Sequence, residues 1–134
     1  MILLNYSTLQ QAIYQKLTSD ASLMALANGV YDLPPQGSNF PYITIGDASA
    51  SEFSNLAVGG ADYKLDIHIW SREAGHKQTA GIMEKIHDLL HHGSITVTGQ
   101  ALVAMRVVSS SIVLENDGAT YQGTLRLQVI LSGN

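Results

Sequence analysis

The sequence contains no cysteine among its 134 residues. Disulfides, thiolate metal sites and cysteine nucleophiles are therefore excluded, and no redox compartment is indicated. No apolar run approaches the length that crosses a bilayer, and the apolar opening at residues 1–4 is too short for the core of a signal peptide. We expect a soluble protein that is made in the cytoplasm and has no membrane partner.

Charged residues are scarce, at 13% of the chain against about 25% in a typical soluble domain. The seven lysines and arginines are scattered, so no basic stripe is available to neutralise phosphates and sequence-specific nucleic-acid binding is not expected. A surface with so few charges suits a subunit buried in an assembly, with an ordinary neutral surface as the equal alternative. The net charge of −4 is concentrated in residues 46–66.

Recognisable sites for chemistry are also lacking. Neither a G-x-S-x-G nucleophile elbow nor a glycine-rich phosphate loop occurs. His87 and His91 have the i, i+4 spacing of a zinc-binding helix, but Asp88 stands where that motif has glutamate. We interpret these histidines and His92 as exposed polar residues near a helix C-terminus. The sequence predicts no catalytic residue, no metal and no cofactor.

Length and apolar content predict a single domain, 1–134, with one core, because area scaling buries about two-thirds of a chain of this size. We divide it into N-terminal helices at 7–28, a proline arm at 30–41, and a sheet with the main helix at 42–131. The fold class is α+β. We expect an antiparallel or mixed sheet of four to five strands, with the main helix and the N-terminal helix packed on one face.

Apolar spacing places the individual elements. A helix is predicted from Ser7 to Leu17, and the main helix carries the stripe Ile82, Ile86 and Leu90. Strands are predicted at 42–48 and 63–70, separated by a loop at 49–60, with a short strand at 95–97. Segments 102–114 and 120–131 are predicted to form a hairpin around Asp117-Gly118.

This hairpin carries a constraint on its register. A two-residue turn would pair residues whose numbers sum to 235, and an unbroken ladder would then place Arg106 on the core face opposite Val129, where a charge does not belong. We therefore predict a β-bulge within 109–111, which sends Arg106 to solvent. The apolar residues that the bulge would return to the core are Val103, Met105 and Val107.

All three prolines fall within residues 34–41, where they fix φ and favour an extended, ordered arm. Aromatic residues flank this arm. We expect them to pack the arm onto its own domain, with a ligand-binding patch as the alternative. The aromatic residues concerned are Tyr31, Phe40, Tyr42 and Trp70.

Four segments, in their order and spacing, resemble a family of short proteins of tailed phages, prophages and gene transfer agents, described as tail completion or tail terminator proteins. The resemblance covers nearly the whole chain, and no single motif is diagnostic. The matching segments are LTSDASL at 17–23, the arm from Val30-Tyr31-Asp32 through Gln36-Gly37 to FPYITIGD at 40–47, LDIHIWS at 65–71 and YQGTLRL at 121–127.

The resemblance implies a structural virion protein without catalytic residues, located in the tail or neck and assembled in the cytoplasm of a bacterial host. It implies a homo-oligomeric ring, a hexamer, that caps the head-proximal end of the tail tube, stops its polymerisation and joins it to the neck. The implied partners are further copies, the tail tube protein and a neck or head-completion protein. Such a ring is compatible with DNA passing through it.

Two sets of residues are candidates for these contacts. We expect the proline arm or the 49–62 loop to reach a neighbouring subunit or the tube, and a neutral or negative lining to let DNA slide. The partner-contact candidates are Pro34, Pro35, Phe40, Tyr42, Phe53, Leu56 and Trp70. The channel-facing candidates are Asp47, Glu52, Asp62 and Asp66.

Two alternatives remain open on the sequence. A head-side neck connector or stopper would share the same features as a tail terminator. A small-ligand-binding or enzymatic α+β domain would instead use the aromatic patch together with His68.

Overall fold

The computed structural model describes residues 4–52 and 60–133, except for the side chain of Glu52. The elements in these ranges are α1 (Tyr6–Thr18), α2 (Ala21–Met24), β1 (Val30–Tyr31), β2 (Tyr42–Glu52), β3 (Ala61–Ser71), α3 (Lys77–Leu90), β4 (Gln100–Leu114) and β5 (Tyr121–Gly133). The strands form one sheet in the order β1-β2-β3-β5-β4. Strand β1 is parallel to β2, and all other neighbours are antiparallel. The predicted α+β class is confirmed.

The helices pack on one face of the sheet because its central strands alternate between apolar and polar residues. In β3 every odd-numbered residue is buried and every even-numbered one is half-buried, as predicted. Burying each large aliphatic side chain contributes about 1.5–3 kcal/mol. The core of the helices and of β5 comprises Leu9, Ile13, Leu17, Ile82, Ile86, Leu90, Leu125, Leu127, Val129 and Leu131. No helix in the described ranges covers the opposite face, formed by even-numbered residues 62–70 and 122–130, which we call the uncovered face.

The ladder between β4 and β5 keeps the predicted register near the turn, where Leu114 pairs with Tyr121. A bulge is present immediately before the predicted residues 109–111, because the register shifts between Val107 and Ser109. As expected from this shift, Arg106 lies in solvent.

Two details of the hairpin differ from the prediction. A second register shift, between Leu102 and Ala104, leaves Val103 exposed, so its predicted core position is wrong. The turn has four residues rather than two, because the Glu115 N–H donates to the Thr120 carbonyl at 2.8 Å and closes the ladder outside residues 116–119.

Three local predictions are corrected. The predicted start of the 49–60 loop is wrong, because β2 continues to Glu52 along β3. This part of β2 has small Ala and Ser side chains, so the sequence shows no apolar alternation there. Residues 30–31, assigned to the arm, form the short strand β1. The predicted strand at 95–97 is not formed. These residues belong to a loop in which the Val97 side chain is buried, and the Gln100 N–H donates to the Val97 carbonyl in a turn.

Candidate functional site

Four aromatic rings and one arginine meet at one end of the uncovered face. The ring centroids of Phe40 and Tyr42 are 5.0 Å apart, those of Tyr31 and Tyr42 6.0 Å, and those of Tyr42 and Trp70 6.5 Å. The Arg72 guanidinium carbon lies 4.3 Å from the Phe40 centroid, within the range of a cation–π contact. We call these five residues the aromatic cluster. The structure thus brings together all four aromatic residues singled out in the sequence.

The proline arm is held against its own domain at both ends. The Asn28 side-chain amide donates to the Phe40 carbonyl at 2.9 Å, and the Asn28 N–H donates to the Pro41 carbonyl at 2.8 Å. Where β1 begins to pair with β2, the Ile43 N–H donates to the Gly29 carbonyl at 2.9 Å. These bonds hold Phe40 beside Tyr42, as the packing interpretation of the arm requires.

The middle of the arm is less covered than its ends. Pro34 is half-buried, whereas Leu33 and Pro35 are exposed. Among the predicted partner-contact residues, Phe40, Tyr42 and Trp70 therefore share one surface, with Pro34 and Pro35 on the adjoining arm. Phe53 and Leu56 lie outside the described residues.

Arg72 joins the arm to the β4–β5 turn. Its Nε donates to the Thr120 hydroxyl oxygen at 3.0 Å, and this hydroxyl in turn donates to Asp117 at 2.6 Å. The backbone N–H groups of Ala119 and Thr120 also donate to Asp117. The hydrogen bonds from Thr120 and Ala119, with the charge of Arg72, lower the pKa of Asp117 to about 2.

Three members of this surface were not predicted from the sequence: Arg72, Thr120 and Asp117. A threonine three residues after an aspartate in an Asp-Gly turn is a signal for side-chain to backbone hydrogen bonding within the turn. For Arg72 the only signal is its position two residues after Trp70, because its partner Thr120 lies 48 residues further along the chain.

Beyond the cluster, the uncovered face is a hydrogen-bonded polar surface. The Trp70 indole N–H donates to the Thr44 hydroxyl at 3.0 Å. The Gln122 amide lies 3.1 Å from His68 Nδ1, which also lies 3.0 Å from the Thr124 hydroxyl. Because the amide nitrogen can only donate, His68 Nδ1 is the acceptor of this network. Side chains on three neighbouring strands are thereby held in fixed positions.

The predicted channel-facing acids are mostly paired with cations. Asp66 accepts two hydrogen bonds from the Arg126 guanidinium, at 2.9 and 3.2 Å, and this pairing raises the pKa of Arg126. Asp62 accepts from Gln128 at 2.9 Å and lies 3.4 Å from Lys64 Nζ. The side chains of Asp62 and Asp66 are only 14% and 13% exposed.

Asp47 is exposed and lines a shallow depression with Lys64, Asp66 and Arg126. The side chain of Glu52 lies outside the described residues. Arg106 also lies on the uncovered face, where its Nε donates to the Gln128 side-chain oxygen at 2.9 Å. Among the described side chains, three acids, Asp47, Asp62 and Asp66, therefore face three cations, Lys64, Arg106 and Arg126, and the uncovered face is nearly neutral rather than strongly acidic.

Of the three histidines predicted to be exposed near the end of α3, His92 is exposed, whereas His87 and His91 are half-buried because they contact neighbouring rings and the backbone. The His91 ring lies 4.5 Å from the His87 ring and 4.1 Å from the His92 ring. His91 Nδ1 accepts the Val107 N–H at 3.0 Å. Desolvation, followed by the neighbouring histidines and Arg106, lowers the pKa of His91. A neutral His91 that accepts from the backbone thus holds β4 against the end of α3.

Across residues 4–52 and 60–133, no three histidine, aspartate or glutamate side chains come together as a possible metal site. None of the helices in these ranges has the length and apolar character needed to span a membrane. The surface that this geometry does offer is built from aromatic rings, an arginine and fixed polar groups.

Comparison with known proteins gives consistent matches. The family described as "Tail completion protein gp17" matches residues 11–132. The chain is 25% identical over 126 residues to the tail completion protein gp17 of Bacillus phage SPP1, spanning 94% of this chain and 93% of that protein. The family resemblance seen in the sequence is confirmed.

Two solved structures share the fold. One comes from the virion of a native gene transfer agent particle, with a TM-score of 0.88 and 23% identity, covering 96% of this chain and 98% of that one. The other is the bacteriophage SPP1 gp17 protein, with a TM-score of 0.65, 24% identity and 94% coverage of both chains.

Proposed function

Since the chain belongs to the tail completion protein gp17 family, and is thus a structural virion protein rather than an enzyme, we propose that it acts as a ring at the head-proximal end of a tail tube. The ring, a hexamer by the family resemblance, ends tube polymerisation and provides the surface to which the neck attaches. Its partners are further copies of the chain, the tail tube protein and a neck protein.

The observation that carries this proposal is the composition of the aromatic cluster. Tyrosine, tryptophan and arginine are the residues most enriched at the energetic centres of protein interfaces. Here Tyr31, Tyr42, Trp70 and Arg72 lie side by side at the surface, with their positions fixed by the arm and by the turn. A rigid surface of this kind loses little side-chain freedom when a protein partner binds.

The strand order supports a ring in which each subunit contacts its neighbours through two different surfaces. The cluster lies towards the β1 end of the sheet, and β4 forms the opposite end. Contacts between two different surfaces of the same subunit produce a closed ring when the rotation between neighbours closes. We place the aromatic cluster and the proline arm in such a contact, with a neighbouring subunit or with the tube.

The uncovered face suits the lining of a DNA channel in this ring. Asp62 and Asp66 are paired with Lys64 and Arg126, Arg106 donates to Gln128, and further amides and hydroxyls are held by hydrogen bonds. DNA binds non-specifically through phosphate contacts with cations. A nearly neutral face, on which Lys64 and Arg126 are already paired with acids, would let DNA pass without retaining it.

Assembly with the tail tube protein tests the proposal. The chain is mixed with the tube protein of the same virion, and the products are measured by size-exclusion chromatography with light scattering and by negative-stain electron microscopy. We expect rings that cap tubes of limited length. A chain that stays monomeric at high concentration, alone and with the tube protein, would contradict the ring; assembly with head-side neck proteins alone would identify a connector.

The variant Trp70→Ala tests whether the aromatic cluster makes the contact. We expect a chain that remains folded by circular dichroism but no longer caps tubes. Tyr14→Ala is the matched control, because Tyr14 is an exposed aromatic residue on α1, outside the cluster. Capping that survives Trp70→Ala would place the contact elsewhere.

A further inference from the structure

The outer edge of β4 is open over residues 108–114. Strand β4 ends the sheet, and no other strand in the described ranges pairs with this part of its edge. Hydrogen-bonded and non-hydrogen-bonded pairs alternate along an antiparallel ladder, and the 115:120 pair is hydrogen-bonded. The N–H and C=O groups of Ser110, Ile112 and Leu114 therefore point away from β5. These groups are available to a further strand.

The open part of the β4 edge begins where the contact between β4 and the end of α3 stops. The His92 N–H donates to the Met105 carbonyl at 2.9 Å, and the Val107 N–H donates to His91 Nδ1. The bulge at Val108 follows directly. After it, the backbone N–H and C=O groups of Ser110 again point away from β5. One half of the edge is thus closed by the chain itself, and the other half is left exposed.

The open half lacks the usual protection against strand pairing. Natural edge strands carry charges, prolines, bulges or covering segments, yet residues 109–114, beyond the bulge at Val108, contain neither a charge nor a proline and have an unshifted register. Three of the nine large apolar side chains that are exposed among the described residues lie here: Val108, Val113 and Leu114. An unprotected, partly apolar edge of this length is typical of a site that receives a strand from a partner.

A groove of about 290 Å³ lies directly beside this edge, between β4 and α3. Its apolar wall is made by Met83, Ile112 and Leu125, of which Met83 and Leu125 are almost fully buried. This volume lies at the lower limit of the roughly 300–1,000 Å³ of typical small-molecule sites. It suits one or two aliphatic side chains that project from a strand lying on the edge.

The rim of the groove is acidic. Glu84 and Asp88, both exposed, line it from consecutive turns of α3, and the half-buried His87 lies between them. In a strand added to the edge, every second side chain would face this rim. We propose that the groove binds an extended segment of another protein, which adds as a strand to β4, places an aliphatic side chain between Met83 and Ile112, and sets basic side chains against Glu84 and Asp88.

A designed peptide tests this site on the isolated chain, so the result does not depend on the ring. The probe is a seven-residue peptide, acetylated and amidated, with leucine at its centre, lysine two positions to either side and threonine elsewhere. Nitrogen-15 NMR of the full chain should show shifted and exchange-protected amides at Ser110, Ile112 and Leu114. Residues 46–52 of the opposite edge should not respond.

Two methylated peptides separate strand addition from simple adhesion. One carries N-methyl groups on the lysines and leucine, the other on the threonines. Because only alternate N–H groups of an added strand face its neighbour, one of these peptides should lose binding and the other keep it. Equal binding of both, or shifts located on the uncovered face, would overturn the proposal.

Variants of the chain test the two halves of the site. The double variant Glu84→Lys, Asp88→Lys should weaken peptide binding by about tenfold or more, which is about 1.4 kcal/mol, whereas Asp32→Lys on the arm should not. Ser110→Pro removes an N–H that faces away from β5, so peptide binding should weaken while circular dichroism shows that the fold is retained. If sedimentation velocity instead shows the chain dimerising through β4 and ignoring the peptide, the occupant is a second copy and the proposal is wrong.

Discussion

The two ends of the sheet offer contrasting edges. At one end, β1 pairs with the start of β2, the proline arm packs beside it, and Asp47 stands on the exposed part of the strand. At the other end, half of β4 is exposed without a charge or a proline. The first end therefore presents side chains, the aromatic cluster, while the second presents backbone groups beside an acidic groove. The two ends of the sheet thus differ in the chemical groups that they expose.

The strongest test of this contrast replaces a valine on each outer strand. Val30 on β1 is 5% exposed, whereas Val113 on β4 is 51% exposed. Val30→Lys should reduce the free energy of unfolding by about 3 kcal/mol or more, because it buries an unpaired charge. Urea denaturation followed by circular dichroism measures the loss. A change below about 1 kcal/mol would mean that β1 does not seal its edge.

A smaller effect is expected when the arm is released. Asn28→Ala removes the side-chain hydrogen bonds to the Phe40 and Asn39 carbonyls. The cost should be about 1 kcal/mol, with faster amide exchange at Ile43. Asn39→Ala serves as the control, because the Asn39 carbonyl that accepts from Asn28 belongs to the backbone and is retained. Similar losses from both variants would contradict the role given to the Asn28 side chain.

Lowering the pH should weaken the contact between His91 and β4, because a protonated His91 Nδ1 cannot accept the Val107 N–H. The pKa of His91 is lowered in the folded chain, so the unfolded chain binds a proton more readily. Stability from this residue is complete above about pH 6.5 and decreases as the pH falls from there towards the lowered pKa. We expect His91→Gln, whose amide oxygen can still accept the Val107 N–H, to remove this dependence. Thermal melting across pH 5–8 measures it, and identical profiles would refute the assignment.

The smallest effect is expected on the open edge. Val113→Lys should change the free energy of unfolding by no more than about 0.5 kcal/mol, because the side chain is exposed and away from the groove wall. Denaturation under the same conditions as for Val30→Lys provides the comparison. A loss as large as that of Val30→Lys would show that the two edges are equally closed.

Much of the architecture could be predicted from the sequence because local patterns specify it. The alternation along β3 and the stripe on α3 follow the periods of a half-buried strand and helix. The bulge in β4 followed from a single misplaced charge, Arg106, whose position in the ladder could be counted from the turn. What escaped prediction had no such pattern: the second bulge at Val103 and the far half of β2, where small side chains carry no apolar signal.

The candidate site divides in the same way. The four aromatic residues lie close to the arm or at the end of a predicted strand, so their meeting could be foreseen. The place of Arg72 in the cluster could not be foreseen, because Arg72 is held there by its hydrogen bond to Thr120, and only strand pairing brings these two residues together. Nor could the open edge be foreseen, since whether a strand lies at the border of a sheet depends on the order of all five strands.

The class of fold and the family follow from the amino-acid sequence alone, because composition, periodicity and ordered motifs are local properties of the chain. The folded chain was needed to show which acids are paired with cations, how Arg72 joins the arm to the turn, and which edge of the sheet stays open. These depend on residues far apart in sequence that approach only when strands pair in one particular order and register.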